Sequence, residues 1–281
     1  MKNILTIAFC TLCLTTVFAQ KNFGKLVKNT PGMVSYTFRK DFAKDLPKTL
    51  DYTKSLGITN IEFSNLFGKK ASELRALLDE RGMICTSYGT NYDALLNKTD
   101  SIIQDAKTLG AEFVRVAWIP HSKPMDIELA KKTVADFNAM GKKLKEAGLT
   151  FCYHNHGFEF LPYEGETYFD YIVKNTNPKY VSFEMDILWV FHPGQDPAAL
   201  LKKYPKRFRL MHVKDLKKGV KGDFTGGTPS SNDVTLGTGQ LNLPEILKAA
   251  RKTKIKHFYI EDENDKSMEQ VPLSLAYLKS L

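Results

Sequence analysis

The sequence predicts an α/β protein folded as one (β/α)8 barrel, a single TIM barrel. From residue 33 onward, short β-branched or aromatic runs alternate with longer stretches of helical period. Eight such units fit the roughly 250 residues of a barrel of this kind, and no Pro/Ser-rich linker or low-complexity block divides them. Parallel strands need helical crossovers, and the eighth strand closes the sheet. The structural rival, an open doubly wound sheet, carries a glycine-rich phosphate turn after its first strand, and Tyr36-Thr37-Phe38-Arg39 is nothing of that kind.

The first element stands apart from the barrel. Met1-Lys2-Asn3, the apolar run Ile4 to Phe18 and the small-x-small site Val17-Phe18-Ala19 predict an export signal over residues 1–19, leaving 20–281 as the barrel domain. The run is shorter than the ~20 apolar residues that span a bilayer, so the expectation is a periplasmic or secreted protein with no membrane attachment after cleavage. Cys10 and Cys13 leave with the signal. Cys85 and Cys152 lie inside apolar, strand-like runs and are expected as single buried thiols.

The strands then follow at Met33–Arg39, Ile58–Ser64, Met83–Gly89, Ala111–Trp118, Leu149–His156, Tyr180–Val190, Phe208–Asp215 and Ile255–Asp262. Between them lie helical patterns. Leu74, Leu77 and Leu78 precede Gly82, and Val134, Phe137, Met140 and Leu144 precede Gly148, each pattern ending in a glycine suited to a left-handed cap. Asp196-Pro197, and Asn242 with Pro244 and Glu245, read as helix starts.

Composition sets the outer bounds. With 43% hydrophobic and 25% charged residues, the chain buries a full core and is neither disordered nor a disulfide miniprotein. The 40 Lys+Arg against 31 Asp+Glu give +9, but these residues are spread along the chain, so nucleic acid is not an expected partner. A homo-oligomer remains open.

The chemistry lies at strand ends. A barrel strand buried on both faces is apolar throughout except where it reaches the active-site mouth. Strand five ends His154-Asn155-His156-Gly157-Phe158-Glu159, strand six carries Glu184-Met185-Asp186, strand seven His212-Val213-Lys214-Asp215, and strand eight Tyr259-Ile260-Glu261-Asp262. Side chains two apart point the same way, which pairs His154 with His156, Glu184 with Asp186, His212 with Lys214, and Tyr259 with Glu261. A cluster of two Glu, one Asp and one His suits a divalent ion. Its oxygens lean toward Mn2+ or Mg2+, while the imidazole keeps Zn2+ and Co2+ open. Glu62 and Glu184 read either as substrate-side groups or as ion-pair partners deeper in the barrel. His121, His192 and His257 lack the strand-end context and read as structural.

The runs YHNHGFEF, FEMDILWV, MHVKD and YIEDEN, in that order on strands five to eight, resemble the sugar phosphate isomerase/epimerase superfamily with xylose-isomerase-like barrels. The form of the first run and the export signal resemble its branch of secreted sugar isomerases and keto-sugar lyases. The resemblance covers roughly residues 30 to 281. It implies a metal site at Glu159, Asp186, His212 and Glu261, with the two glutamates exchanging protons on opposite faces of the sugar, and His156 as the alternative ligand on strand five. Many members place a His three residues after the strand-six Asp; here Trp189 stands there and would give a stacking platform.

The expected function is a divalent-metal-dependent sugar isomerase or epimerase working through an enediolate on an unphosphorylated sugar or keto-sugar. Expelling a β substituent from the same intermediate would make it a keto-glycoside lyase or hydratase. Substrate contacts are expected from His154, His156, Trp189, Lys214, Glu62, Tyr36 and Trp118, and a small carbohydrate is the expected partner. The glycine-rich stretch between Leu216 and Gln240 is too long for an ordinary connection and reads as a substrate lid. Two rivals are a non-catalytic carbohydrate-binding barrel and a three-zinc endonuclease of the same fold. The second would need His ligands in the first four strands, which have none.

Overall fold

Eight short parallel strands close into a barrel in chain order, each followed by a helix that returns the chain to the bottom of the next strand. The computed structural model describes residues 23–281, and the export signal expected over 1–19 lies outside them. Counting only barrel strands, β1 is Gly32–Val34, β2 Asn60–Phe63, β3 Ile84–Thr90, β4 Phe113–Val116, β5 Thr150–His154, β6 Val181–Asp186, β7 Phe208–Val213 and β8 His257–Ile260. β8 pairs with β1 through Gly32↔Tyr259 and Met33↔Ile260, which closes the sheet. A two-stranded hairpin, Pro162–Tyr163 with Glu166–Thr167, decorates the connection after β5.

The helices begin and end where their capping chemistry dictates. Asp45, Asn91, Asp126, Asp196 and Asn242 each accept a backbone N–H of the first turn of the helix that follows them. Gly82 and Gly148 take left-handed φ values of +60° and +83° just beyond the helices Ala71–Asp79 and Ile127–Glu146. Ile127–Glu146 buries Phe137, Met140 and Leu144 against the barrel, where the Phe137 ring packs tilted against Phe151 of β5. Each fully buried side chain of this size contributes roughly 1.5–3 kcal/mol. Cys85 and Cys152 are free and buried. Among the described residues no helix is long and apolar enough to cross a membrane.

Most strands are shorter than their sequence patterns, and two of them end well before those patterns do. β1 stops at Val34 because Ser35–Phe38 turns into a 3-10 helix, with Ser35 hydrogen-bonded to Ser64 and Thr37 to the Ile260 carbonyl. β6 stops at Asp186, whose Oδ1 accepts the N–H groups of Leu188 and Trp189 and so caps a helix over Ile187–Phe191. Trp189 is therefore helical, although its run Ile-Leu-Trp-Val reads as strand.

Candidate metal centre and active site

Because side chains two apart on a strand share a face, each strand sends a row of residues up the barrel lumen. The rows grow polar toward the C-terminal mouth. At the lower level Val34, Phe113, Cys152, Leu210 and Tyr259 form their own buried apolar cluster. Two residues further along their strands stand Arg115, His154, His212 and Glu261. β6 adds Glu184 and then Asp186, which is in register with His212.

His154, Asp186, His212 and Glu261 converge there, each offering a ligand atom within 4.8 Å of the other three. His154 Nε2 is 3.3 Å from Asp186 Oδ2, and His212 Nδ1 is 3.0 Å from Glu261 Oε2. Since Oδ1 of Asp186 is occupied by the helix cap, Oδ2 is the oxygen that faces the cluster. Asn155 locks this strand end by donating to the Asp186 carbonyl and accepting its N–H. Burial, reinforced by the neighbouring His212, pushes the His154 pKa well down, which leaves the neutral imidazole that metals bind.

The carboxylates around the cluster outnumber its lysine and arginine partners. Below it, Arg115 Nε lies 2.8 Å from Glu62 and 3.4 Å from Glu184, and His212 Nε2 lies 2.8 Å from Glu62. Above it, Lys214 Nζ reaches Glu263 at 2.6 Å, Glu261 at 3.3 Å, Asp233 at 3.4 Å and Asp186 at 3.9 Å. Six carboxylates thus share two buried cations. Burial and the adjacent Glu62 charge push Glu184 up, whereas Arg115 and His212 hold Glu62 low against its own burial. Burial also opposes a charge on His212, yet Glu184, Glu261 and Glu62 raise its pKa well above the ordinary value. Surroundings that retain a proton so firmly also favour a metal cation. The two-nitrogen, two-oxygen donor set fits Zn2+, Mn2+ or Co2+, with Mg2+ preferring an all-oxygen shell.

A cavity of about 430 Å³ opens above the cluster, lined by Tyr36, Arg115, Trp118, His154, His156, Trp189 and Glu261, with Asn65 and Asn91 opposite. Trp189 stacks on His156 at 5.5 Å, and Trp118 meets the same imidazole edge-on at 5.0 Å. Residues 226–228 of the long glycine-rich loop close one side of this cavity. The loop is pinned at its base by Asp215, which accepts the N–H groups of Leu216, Gly237, Gly239 and Leu241. Further along, His192 Nδ1 bonds the Asp223 backbone.

Three expected site residues lie elsewhere. Glu159 is not brought to the cluster. The strand ends at His154, and Glu159 falls in the 3-10 turn Phe158–Phe160, where its buried carboxylate accepts the Tyr153 hydroxyl and the His156 N–H. His154 occupies the place beside Asp186 instead. Glu62 sits beneath His212 and Lys214 behind Glu261, so neither lines the cavity. Arg115 joins the site from β4, and its signal in the sequence is a lone charge within the apolar run Phe113–Val116, the same kind of signal that marks strands five to eight.

The model of the xylose isomerase-like TIM barrel family matches residues 50–281. This chain belongs to that family. An inosose dehydratase of Mesomycoplasma hyopneumoniae is 27% identical over 266 residues, covering 80% of this chain and 85% of that protein. Inosose dehydratase 1 of Bacillus cereus is 31% identical over 100 residues, which span 35% of this chain and 33% of that one. A crystal structure of a sugar phosphate isomerase/epimerase from Parabacteroides distasonis superposes with a TM-score of 0.72 at 24% identity, covering 90% of this chain and 97% of its own. The IOLI protein with a bound zinc atom superposes at 0.71 with 14% identity, over 88% and 95% of the two chains. In this xylose isomerase-like barrel the His154–Asp186–His212–Glu261 cluster lies at the C-terminal end of the strands, the face that carries catalysis in barrels of this architecture.

Proposed function

We propose that this barrel is a divalent-metal-dependent lyase of an unphosphorylated keto-sugar or keto-cyclitol, removing the proton alpha to the carbonyl and expelling a β-oxygen substituent. The observation that carries the reading is the four-residue cluster, which meets the mouth cavity through His154 and Glu261. A divalent ion held by those residues would polarise the substrate carbonyl and lower the cost of removing the adjacent proton. His156 lines the cavity wall and burial keeps its imidazole neutral, the form that can accept that proton. Glu159 does not serve as base in this reading, because its carboxylate is committed to Tyr153 and the His156 backbone. Lys214 keeps its proton and orients Glu261 and Glu263.

Wall chemistry supports a sugar without phosphate. Among the described residues, Arg115 is the one Lys or Arg lining the cavity, and it is already paired with Glu62 and Glu184. Tyr36, Trp118 and Trp189 offer flat apolar faces, with Asn65 and Asn91 for hydroxyls. Export by the expected signal would place the enzyme where unphosphorylated sugars prevail. Elimination is favoured over isomerisation by the dehydratase names of the curated relatives, while the name of the Parabacteroides structure keeps isomerase or epimerase as the second reading.

One experiment separates them. The metal-loaded protein is incubated in D2O with inosose and with 3-keto-glycosides, and products are followed by mass and NMR. Deuterium exchange with loss of water or of an alcohol is the expected result. A product of unchanged composition would make the enzyme an isomerase or epimerase, and absence of exchange on every keto-sugar would overturn both readings and leave a binding barrel.

A further inference from the structure

A second cavity, of about 480 Å³, lies beside the first at the same end of the barrel, lined among others by His121, Pro124, Phe158, Leu161, Phe224 and Thr225. Its character is different. The mouth cavity reaches His154 and Glu261 of the cluster, whereas this one is walled mainly by rings and aliphatic groups, with Ser122 and Lys123 beside them. The two share a partition. Trp118, lining the first, stacks on His121, lining the second, with centroids 5.0 Å apart and planes 23° apart, and Phe158 packs against both at 4.8 and 4.3 Å. The glycine-rich loop spans the boundary as well, Thr225 facing one cavity and Gly226 the other.

Exposure singles out the same place. Of the five large hydrophobic side chains exposed among the described residues, Tyr36, Trp118 and Phe224 all border these two cavities. Apolar surface gathered at one spot, beside a polar pocket, marks a binding site rather than ordinary surface scatter. His121 is also set in one tautomer. Its Nδ1 lies 2.7 Å from the Ile119 carbonyl, which only accepts, so in the neutral ring Nδ1 carries the hydrogen and Nε2 is the acceptor.

From this pairing we infer that the second cavity is a subsite for the leaving group, and that the substrate is a two-ring keto-glycoside whose second ring has an apolar face. The inference rests on the lyase reading and names its substrate class. The keto ring sits over the cluster while the second ring packs against His121, Phe158 and Phe224, and a hydroxyl on it donates to His121 Nε2. In the elimination the α C–H bond and the glycosidic C–O bond both break. The α-carbon electron pair forms the new C=C bond, and the leaving oxygen keeps the C–O pair and takes up a proton, giving a free alcohol and an unsaturated keto-sugar. A sugar and an aryl group both present such a face, so the test uses one of each.

Binding to the metal-loaded protein is measured by quenching of its two tryptophans, with a one-ring ligand (inosose), an aryl 3-keto-glucoside and a 3-keto-disaccharide. At least one two-ring ligand is expected to bind about tenfold tighter than inosose, as an added aromatic contact and its buried area allow. His121→Ala and Phe224→Leu, both at partly exposed positions, should remove most of that advantage while leaving inosose affinity within about twofold. Which two-ring ligand shows the advantage decides between sugar and aryl. Equal affinity for one and two rings, or variants that weaken both alike, would overturn the subsite. Failure of every ligand to turn over, with the two-ring advantage intact, would sink the lyase reading and leave the subsite standing.

Discussion

The two halves of the barrel carry different parts of the chemistry. β5 to β8 and the residues at their ends supply His154, Asp186, His212 and Glu261, all four members of the cluster. β2 and β4 supply Glu62 and Arg115, paired with each other below the cluster, and Glu62 touches it through His212 Nε2. His212 joins the halves, with one ring nitrogen toward the cluster and the other toward Glu62. The β5–β8 half therefore holds every residue of the cluster, while β2 and β4 contribute only charge and orientation. This division predicts that damage to the two halves will be read in different measurements.

The largest effect falls on the binding half. His212→Ala or Asp186→Ala should abolish stoichiometric metal binding, measured by metal analysis after dialysis, and lower kcat/KM by about a thousandfold or more, which corresponds to about 4 kcal/mol of transition-state stabilisation. Asp186→Ala should also cost about 1 kcal/mol of stability, because it removes the cap of helix Ile187–Phe191. Retained metal in His212→Ala would break the comparison at its strongest point.

The other half should fail through stability. Arg115→Met strands Glu62 and Glu184 in the barrel interior without their shared cation, and removal of one partner from a buried ion pair costs about 3–5 kcal/mol. Urea denaturation of the metal-free protein measures this directly. A variant that kept full stability yet lost its metal would show that the two halves act as one unit.

How legible this was depended on whether a residue lay inside a strand. Within strands and one residue past β8, the two-residue period placed Asp186, His212 and Glu261 on one rim, and caps and glycines marked the helices. Beyond the strand the period lapses. Glu159 sits five residues past His154 in a tight turn, so neither direction nor depth followed from spacing. Trp189 looked like strand because Ile-Leu-Trp-Val suits a buried strand as well as a helix, and the Asp186 cap that decided it is a three-dimensional contact. Glu62 and Glu184 differ again. Their types and strands were readable, but their pairing through Arg115 joins β2, β4 and β6, which no local pattern encodes.

Glu159 gives the smallest effect and the sharpest boundary for the binding half. Burial pushes its carboxyl from the ordinary 4.5 up to about 7, partly offset by the Tyr153 hydroxyl and the His156 N–H. A carboxyl whose folded-state pKa is raised contributes stability that is fully present below about pH 4.5 and is lost as pH rises through about 7. The loss amounts to about 3 kcal/mol when both limits are reached. Glu159→Gln stays neutral at every pH and can still accept both hydrogen bonds with its amide oxygen, so it should match the parent near pH 4 and exceed it by up to about 3 kcal/mol near pH 9. Urea titrations at the two pH values measure this, and metal content should be unchanged in the variant. Metal lost from Glu159→Gln would instead return the glutamate to the ligand set and move the boundary of the binding half past the end of β5.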